Sequence, residues 1–255
     1  MTRTRSGEAG LPTRDAPVSR VVVVTGAGIS AESGVATYRA AGSGWTDPDL
    51  ERMSQSDRYG QHLPALWEFW GALRAATAAA DPNAAHLAVA AAERTCVSRG
   101  GWLTVVTQNV DGLHQRARNT DVVEVHGSVH RSRCLRRGCR KPFPDSTVPG
   151  PGQVPVCAVC PRPLRPDVVL FGEQLGRKDT DRAYGALRGA QVCVYVGTSG
   201  NVRPVSEMVG IAWASGATCV LVNAEPWDEP HPGFHETSLG PATVTLPGVL
   251  GRLLV

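Results

Sequence analysis

Val21 to Val24 is an unbroken valine run that leads straight into Thr25-Gly26-Ala27-Gly28-Ile29-Ser30-Ala31. β-Branched residues without interruption predict a strand buried on both faces, the kind a parallel sheet requires. Glycines spaced G-x-G-x-x-A after such a strand predict a tight turn, and Ala31-Glu32-Ser33 reads as the start of a helix. Bare backbone at that turn can approach a pyrophosphate, and a helix N-terminus stabilises its charge. The same residues also suit a tight turn that holds no ligand. Dehydrogenases place an acidic residue at the end of the second strand, about 20 residues on, to hold a ribose. Here the next convincing strand, Trp102 to Thr107, ends about 80 residues later. Hydride transfer is therefore disfavoured, while a dinucleotide is not.

The rest of the chain alternates. Strands are predicted at Val122–Val125, Val168–Phe171, Val192–Val196, Thr218–Val222 and Ala242–Leu246. Helices are predicted at Leu63–Ala80, from an N-cap at Asp81 with Pro82 at the first position to about Thr95, and over 179–189 and 203–215. Leu66, Phe69, Trp70 and Leu73 share one apolar face of the first of these. Alternation of this kind predicts an α/β fold with a mainly parallel, Rossmann-like sheet. Residues 1–17 read as a flexible tail, and about 40–80 as a largely helical insertion. Residues 130–167 differ in composition, with clustered Cys, Arg and Pro, and are read as a smaller inserted module between 18–129 and 168–255.

That module holds Cys134, Cys139, Cys157 and Cys160, spaced C-x4-C, 17 residues, C-x2-C. Two tight knuckles of this kind bring four thiolates around a tetrahedral Zn²⁺, and four thiolates leave no position for water, so the site is structural. Cys96, Cys193 and Cys219 lie in apolar segments and read as small buried hydrophobes. With an odd cysteine count and no apolar leader, a disulfide scaffold is disfavoured and a cytoplasmic setting expected. No apolar run is long enough to span a membrane. The formal net charge of +3 is too small to imply nucleic acid, although Arg131, Arg133, Arg136, Arg137, Arg140 and Lys141 cluster around the first two cysteines. A zinc-ribbon binding module is the rival reading of that cluster, and a solvated basic face the plainer one.

Polar residues follow the predicted strands. Gln108, Asn109 and Asp111 follow Trp102–Thr107, where parallel sheets bind ligands, although Asn109 or Asp111 can equally cap the next helix. His126 ends an apolar strand before Gly127 and suits a general base, with His114 and His130 as competitors. Gly197-Thr198-Ser199 and Asn223-Ala224-Glu225 sit after two further strands.

In this order Gly26–Gly34, Thr37-Tyr38-Arg39, Gln108–Asp111, Val125–Ser128, the four cysteines, Asp167–Glu173 and Gly197–Ser199 resemble the sirtuin family, over about residues 19–250. The resemblance implies an NAD-dependent protein-lysine deacylase, most simply a deacetylase, that passes the acyl group to ADP-ribose and releases nicotinamide. It implies Gly26, Ala27 and Gly28 at the pyrophosphate, Ile29 and Glu32 also in the cofactor site, and Tyr38 and Arg39 in a cofactor loop. It puts Gln108, Asn109 and Asp111 at the ribose and nicotinamide, with Asn109 and Asp111 counted with His126, the general base, among the catalytic residues. Gly197, Thr198, Ser199, Asn223, Ala224, Glu225 and Ala242 fall at the adenosine half. An acyl-lysine protein substrate would add as an extended strand along Val169, Phe171, Gly172 and Glu173, with Trp70 beside the acyl chain. Mono-ADP-ribosyl transfer from the same NAD site is the alternative chemistry, and a monomer is expected. Family members that take acidic acyl groups carry a Tyr and an Arg three positions apart on this helix. Trp70 and Leu73 fall there, and Arg74 is one residue off, a rotation of about 100°. A buried carboxylate without a partner is costly, so neutral acyl groups are expected.

Overall fold

The computed structural model describes residues 17–37, 48–200, 204–229 and 231–255. Along the chain these form β1 (Arg20–Thr25), α1 (Pro48–Met53), α2 (Leu63–Ala79), α3 (Ala84–Ser98), β2 (Trp102–Thr107), α4 (Leu113–Arg116), β3 (Val122–Glu124) and β4 (Gly127–Cys134). Then come β5 (Phe143–Pro144), β6 (Leu164–Val168), α5 (Arg177–Gly189), β7 (Val192–Val196), α6 (Val205–Ala214), β8 (Thr218–Asn223), β9 (Glu236–Leu239) and α7 (Ala242–Leu253).

The large sheet has six strands in the order β3-β2-β1-β7-β8-β9, every pair parallel. Side chains alternate across β1. Val21 and Val23 join α3 and α7 in one core, while Val22 and Val24 join α5 and α6 in the other. The sheet is thus covered on both faces, which explains why its strands read as continuous valine runs. The chain leaves β1 for β2 on one side and reaches β7 on the other. Parallel sheets bind ligands at such a switch point.

The second sheet is antiparallel, in the order β5-β4-β6, and α2 packs over it. It starts at Gly127 and ends at Val168, so it takes in residues on both sides of the expected 130–167 module.

Several expectations are corrected. Val168–Phe171 is not a strand of the parallel sheet: β6 ends at Val168 and pairs with β4. Ala242–Leu246 is the first part of a helix, because Leu246, Val249, Leu250 and Leu253 recur with helical period and are buried in the core shared with α3. The glycine turn leads directly into two short 3₁₀ turns, Ala27–Ile29 and Ala31–Ser33, and not into the expected helix. The N-cap of α3 is Asn83, whose Oδ1 accepts from Ala85 N at 3.0 Å, and not Asp81. The edge strand β9, Glu-Thr-Ser-Leu, has no apolar run to announce it.

Candidate active site and cysteine cluster

Gly26 and Gly28 are dictated by the loop after β7. Gly28 N donates to Gly197 O at 3.0 Å. A Cβ on Gly26 would lie 2.7 Å from Gly197 O, and one on Gly28 would lie 2.6 Å from Gly197 Cα. Gly197 has φ +60°, and a Cβ there would lie 2.4 Å from Ile29 N. These glycines let two strand-end loops interlock at the switch point. Thr198 O accepts from Trp227 Nε1 at 2.7 Å and from Asn223 Nδ2 at 3.1 Å, which ties the β7 and β8 ends together. The Asn223 amide also reaches Glu225 O at 2.8 Å, closing the Asn223-Ala224-Glu225 turn. Ser199 sits in the same β7 loop.

Asn109 is buried between these loops. Its Nδ2 donates to Gly26 O and to Ser30 Oγ, both at 3.1 Å, and its backbone N to Thr107 Oγ1 at 3.0 Å. Asp111 accepts from Ser30 Oγ at 2.7 Å and from Leu113 N at 2.9 Å. Its Leu113 bond steadies the turn into α4, whose N-cap is Gly112, and its other oxygen faces the β1 loop. Ser30 Oγ lies 3.4 Å from His86 Nε2. His86 is fully buried, and burial followed by the neighbouring His114 pushes its pKa down to about 3. Ser30 and His86 are site neighbours that the motif reading passed over. The spacing of Asn83 and His86, a capping pair, was the available signal for the latter.

His126 Nδ1 lies 3.0 Å from Gln108 O. A carbonyl only accepts, so Nδ1 carries the proton and Nε2 is the basic nitrogen. Burial lowers the pKa of His126, and the Gln108 bond offsets part of that. His126 O accepts from Val169 N at 2.9 Å, so the imidazole stands at the junction of the two sheets. The rival His114 is buried against Thr25, and His130 Nε2 is engaged with Asp111 O at 3.0 Å.

Ser33 Oγ, Gln108 Nε2 and Thr198 Oγ1 are buried without a partner among the described residues. They follow β1, β2 and β7 respectively. Buried polar atoms are normally satisfied, so three orphans around one switch point fit a polar ligand such as a dinucleotide. The Glu32 carboxylate accepts from Thr243 N at 3.1 Å and Thr243 Oγ1 at 2.6 Å, which ties the β1 loop to the start of α7 beside the buried Ala242. Tyr38 and Arg39 lie outside the described residues.

The edge expected to take a substrate is partly engaged. Ser56 N donates to Phe171 O at 2.9 Å. Gly172 turns with φ +73°. Glu173 is gripped by Arg165 Nη2 at 2.7 and 2.9 Å and accepts from Leu170 N at 3.0 Å. Trp70 is buried and lines a small cavity with Tyr59, Leu66, Val168 and Leu170.

The four module cysteines converge, with their sulfurs all within 4.8 Å of one another. Cys134 and Cys160 are 3.3 Å apart, and Cys139 and Cys157 are 3.9 Å apart. Tetrahedral Zn²⁺ with bonds of about 2.3 Å holds its sulfurs about 3.8 Å apart. Backbone N–H groups of Arg136 and Val159 donate to the sulfurs two residues earlier, as in metal knuckles. The donor set fits a structural Zn²⁺. Half-buried Arg131 bonds Glu124 and Asp167, and Arg133 bonds Asp167 at 2.7 Å. Through Glu124 in β3, Arg131 braces the module onto the large sheet, while Arg133 is paired within the small sheet, so both cations of the basic cluster are matched by carboxylates. Arg140 stacks over Phe143 at 3.6 Å.

Among the described residues, no helix is long and apolar enough to cross a membrane. The model of the Sir2 family matches residues 26–204. A Ralstonia nicotianae protein called an NAD-dependent protein deacylase is 44% identical over 209 residues, covering 81% of either chain. A crystal structure of a Sir2 homologue in complex with NAD superposes with TM-score 0.81 at 31% identity, over 93% of this chain and 88% of that one. A Sir2–p53 peptide–NAD⁺ structure superposes with TM-score 0.74 at 27% identity, over 92% of each chain. With a glycine-interlocked switch point, a four-cysteine module and these matches over most of its length, the chain belongs to the Sir2 family.

Proposed function

We propose that this chain is an NAD-dependent protein deacylase that acts on neutral acyl-lysines, with His126 as its general base. The observation that carries the assignment of His126 is its tautomer, since the bond to Gln108 O leaves Nε2 to take a proton. Burial keeps that nitrogen unprotonated at neutral pH.

NAD⁺, when bound, supplies an electrophilic ribose carbon with nicotinamide as the leaving group. Gly26, Ala27 and Gly28 would hold its phosphates, with Ile29 beside them, and Gly197, Thr198 and Ser199 would meet the adenosine half. The unpaired Thr198 hydroxyl supports the placement of the β7 loop, and the unpaired Gln108 Nε2 supports Gln108 at the ribose and nicotinamide. Asn109 and Asp111 would line the ribose and nicotinamide, while Asn223, Ala224, Glu225 and Ala242 would border the adenosine half. Glu32, bonded to Thr243, would join the cofactor site beside Ala242. Zn²⁺ on Cys134, Cys139, Cys157 and Cys160 would hold the module's loops together.

The substrate would lie as an extended strand along Gly172. The Phe171 carbonyl is already taken by Ser56, so pairing would use the backbone on either side of it. Neutral acyl groups are favoured by the fate of the cations near α2. Arg74 is buried toward the module and bonds Val129 O at 2.7 Å and Thr147 O at 2.6 Å. Among the described residues lining the Trp70 cavity, the one cation is Arg165, which is paired with Glu173.

Product analysis tests the proposal. Incubation with NAD⁺ and an acetyl-lysine peptide should yield free lysine and an acetyl ester of ADP-ribose. ADP-ribose attached to protein, with the acetyl group retained, would favour ADP-ribosyl transfer instead.

A further inference from the structure

The tip of the cysteine module carries unmatched positive charge. Arg136, Arg137, Arg140, Lys141 and Arg162 are all exposed, and each lies within two residues of a cysteine of the cluster. Because the four sulfurs lie within 4.8 Å of one another, these cations gather around one point. The carboxylates of residues 130–167 are Asp145 and Asp167. Asp145 is buried on Arg74, and Asp167 is held by Arg131 and Arg133. Among the described residues, none of the tip cations has a carboxylate partner. A Zn²⁺ on four thiolates would offset only part of their charge. Clustered like charges repel, and an anionic partner relieves that repulsion.

What accompanies the charge narrows the kind of anion. Val156 and Val159, on either side of Cys157, are 60% and 64% exposed. Single-stranded nucleic acid is held by phosphate contacts and by rings on which bases stack. The module has one Phe and neither Tyr nor Trp, and the Arg140 guanidinium covers that Phe143 ring at 3.6 Å. Cations interleaved with exposed valines, and no free ring, suit an acidic peptide that also carries apolar side chains. Position ties the tip to the proposed substrate edge. Leu164, at the start of β6, pairs with Cys134, and Val168, at its end, pairs with Gly127 beside His126. Those four strand steps span about 13 Å, and the two further residues to Arg162 add up to about 7 Å. A peptide strand along Gly172 thus needs about six residues to reach the tip. About 20 Å exceeds the Debye length of about 10 Å at 0.1 M salt, so the tip has to touch what it selects.

We propose that the module tip is an exosite for the protein substrate: Arg136, Arg137, Arg140, Lys141 and Arg162 bind an acidic segment that lies about six residues from the acyl-lysine. This rests on the deacylase reading given above, but binding of the acidic segment does not require turnover. A merely solvated basic face would show no dependence on where along the peptide the acidic residues stand.

Acetyl-lysine peptides of equal length test this with the full-length protein and NAD⁺. One is neutral, one has a run of Asp next to the acetyl-lysine, and two have the run about six residues away, on one side or the other. At about 50 mM salt, one of the distal placements should lower KM about tenfold against the neutral peptide at unchanged kcat, and the gap should close near about 0.5 M salt. Equal KM values, or the same gain from adjacent Asp, would overturn the proposal. Arg137→Gln with Lys141→Gln should shrink the gap at least about threefold and leave neutral-peptide kinetics unchanged. A full gap in that variant would overturn the assignment of these side chains, and if it does not fold, the wild-type comparison still decides. Fluorescence anisotropy of the labelled distal peptide, without NAD⁺, reads binding alone. If no acyl peptide is turned over, the deacylase reading fails, and salt-sensitive binding of the labelled peptide still supports the acidic-segment site. No binding, or tighter binding of single-stranded DNA at the same salt, would overturn it.

Discussion

The guanidinium of Arg74 and the carboxylate of Asp145 meet at 3.2 Å, with side chains 1% and 9% exposed. The pair joins α2 to the cysteine module. Arg74 Nη2 also donates to Ser132 Oγ at 3.1 Å, and Ser132 Oγ donates to Asp145. Burial alone would raise the pKa of Asp145, but the bonds from Ser132 and Thr147 and the charge of Arg74 hold it below its ordinary value. A depressed folded pKa stabilises fully above the unfolded value of about 3.9, and the stabilisation is lost as pH falls through the folded value. Arg74→Leu should cost about 3–5 kcal/mol, because it strands a buried carboxylate. Urea denaturation measures this, and a loss below about 1 kcal/mol would place the pair among exposed, weak ones.

Zinc removal should be visible through tryptophan. Trp67 Nε1 donates to Leu164 O at 2.8 Å, and its ring packs with Cys157 against the cysteine cluster. Metal analysis should find one Zn²⁺ per chain, and chelation should shift the tryptophan emission as the small sheet loosens. Cys157→Ser should lose the metal. Full zinc occupancy in that variant would contradict the ligand assignment.

The pH dependence of catalysis follows from His126. Burial favours the neutral imidazole, and a base is lost only when pH falls through its folded pKa. The acid limb of kcat/KM should therefore lie below the ordinary histidine value of about 6.5. A limb displaced to higher pH would point to a different base.

Acyl preference tests the fate of Arg74 and Arg165. Acetyl-lysine peptide should be preferred over succinyl-lysine peptide by about tenfold or more in kcat/KM. Leu73→Arg places a cation one helical step from Arg74 and should narrow the gap. A wild-type preference for succinyl peptide would show that a cation reaches the acyl chain.

The sequence disclosed most where local chemistry decides. Val21–Val24 form the strand that their β-branched run predicts, and the cysteine spacing marked the four residues that β4–β6 pairing brings together. It misled at Ala242–Leu246, where Thr243, Val244 and Thr245 favour a strand but packing in the core shared with α3 imposes a helix. The glycines of the first turn were legible, but their partner was not. Gly26 and Gly28 answer to Gly197, which is distant in sequence and meets them only because β7 lies beside β1.

The most direct test of the account is nicotinamide release from NAD⁺ and acetyl-lysine peptide deacylation, measured side by side for wild type and His126→Ala. The account predicts peptide-dependent release in the wild type and a loss of deacylation of about a hundredfold or more in the variant. Wild-type rates of deacylation in His126→Ala would contradict it, because the Nε2 that Gln108 leaves free would then have no role as a base.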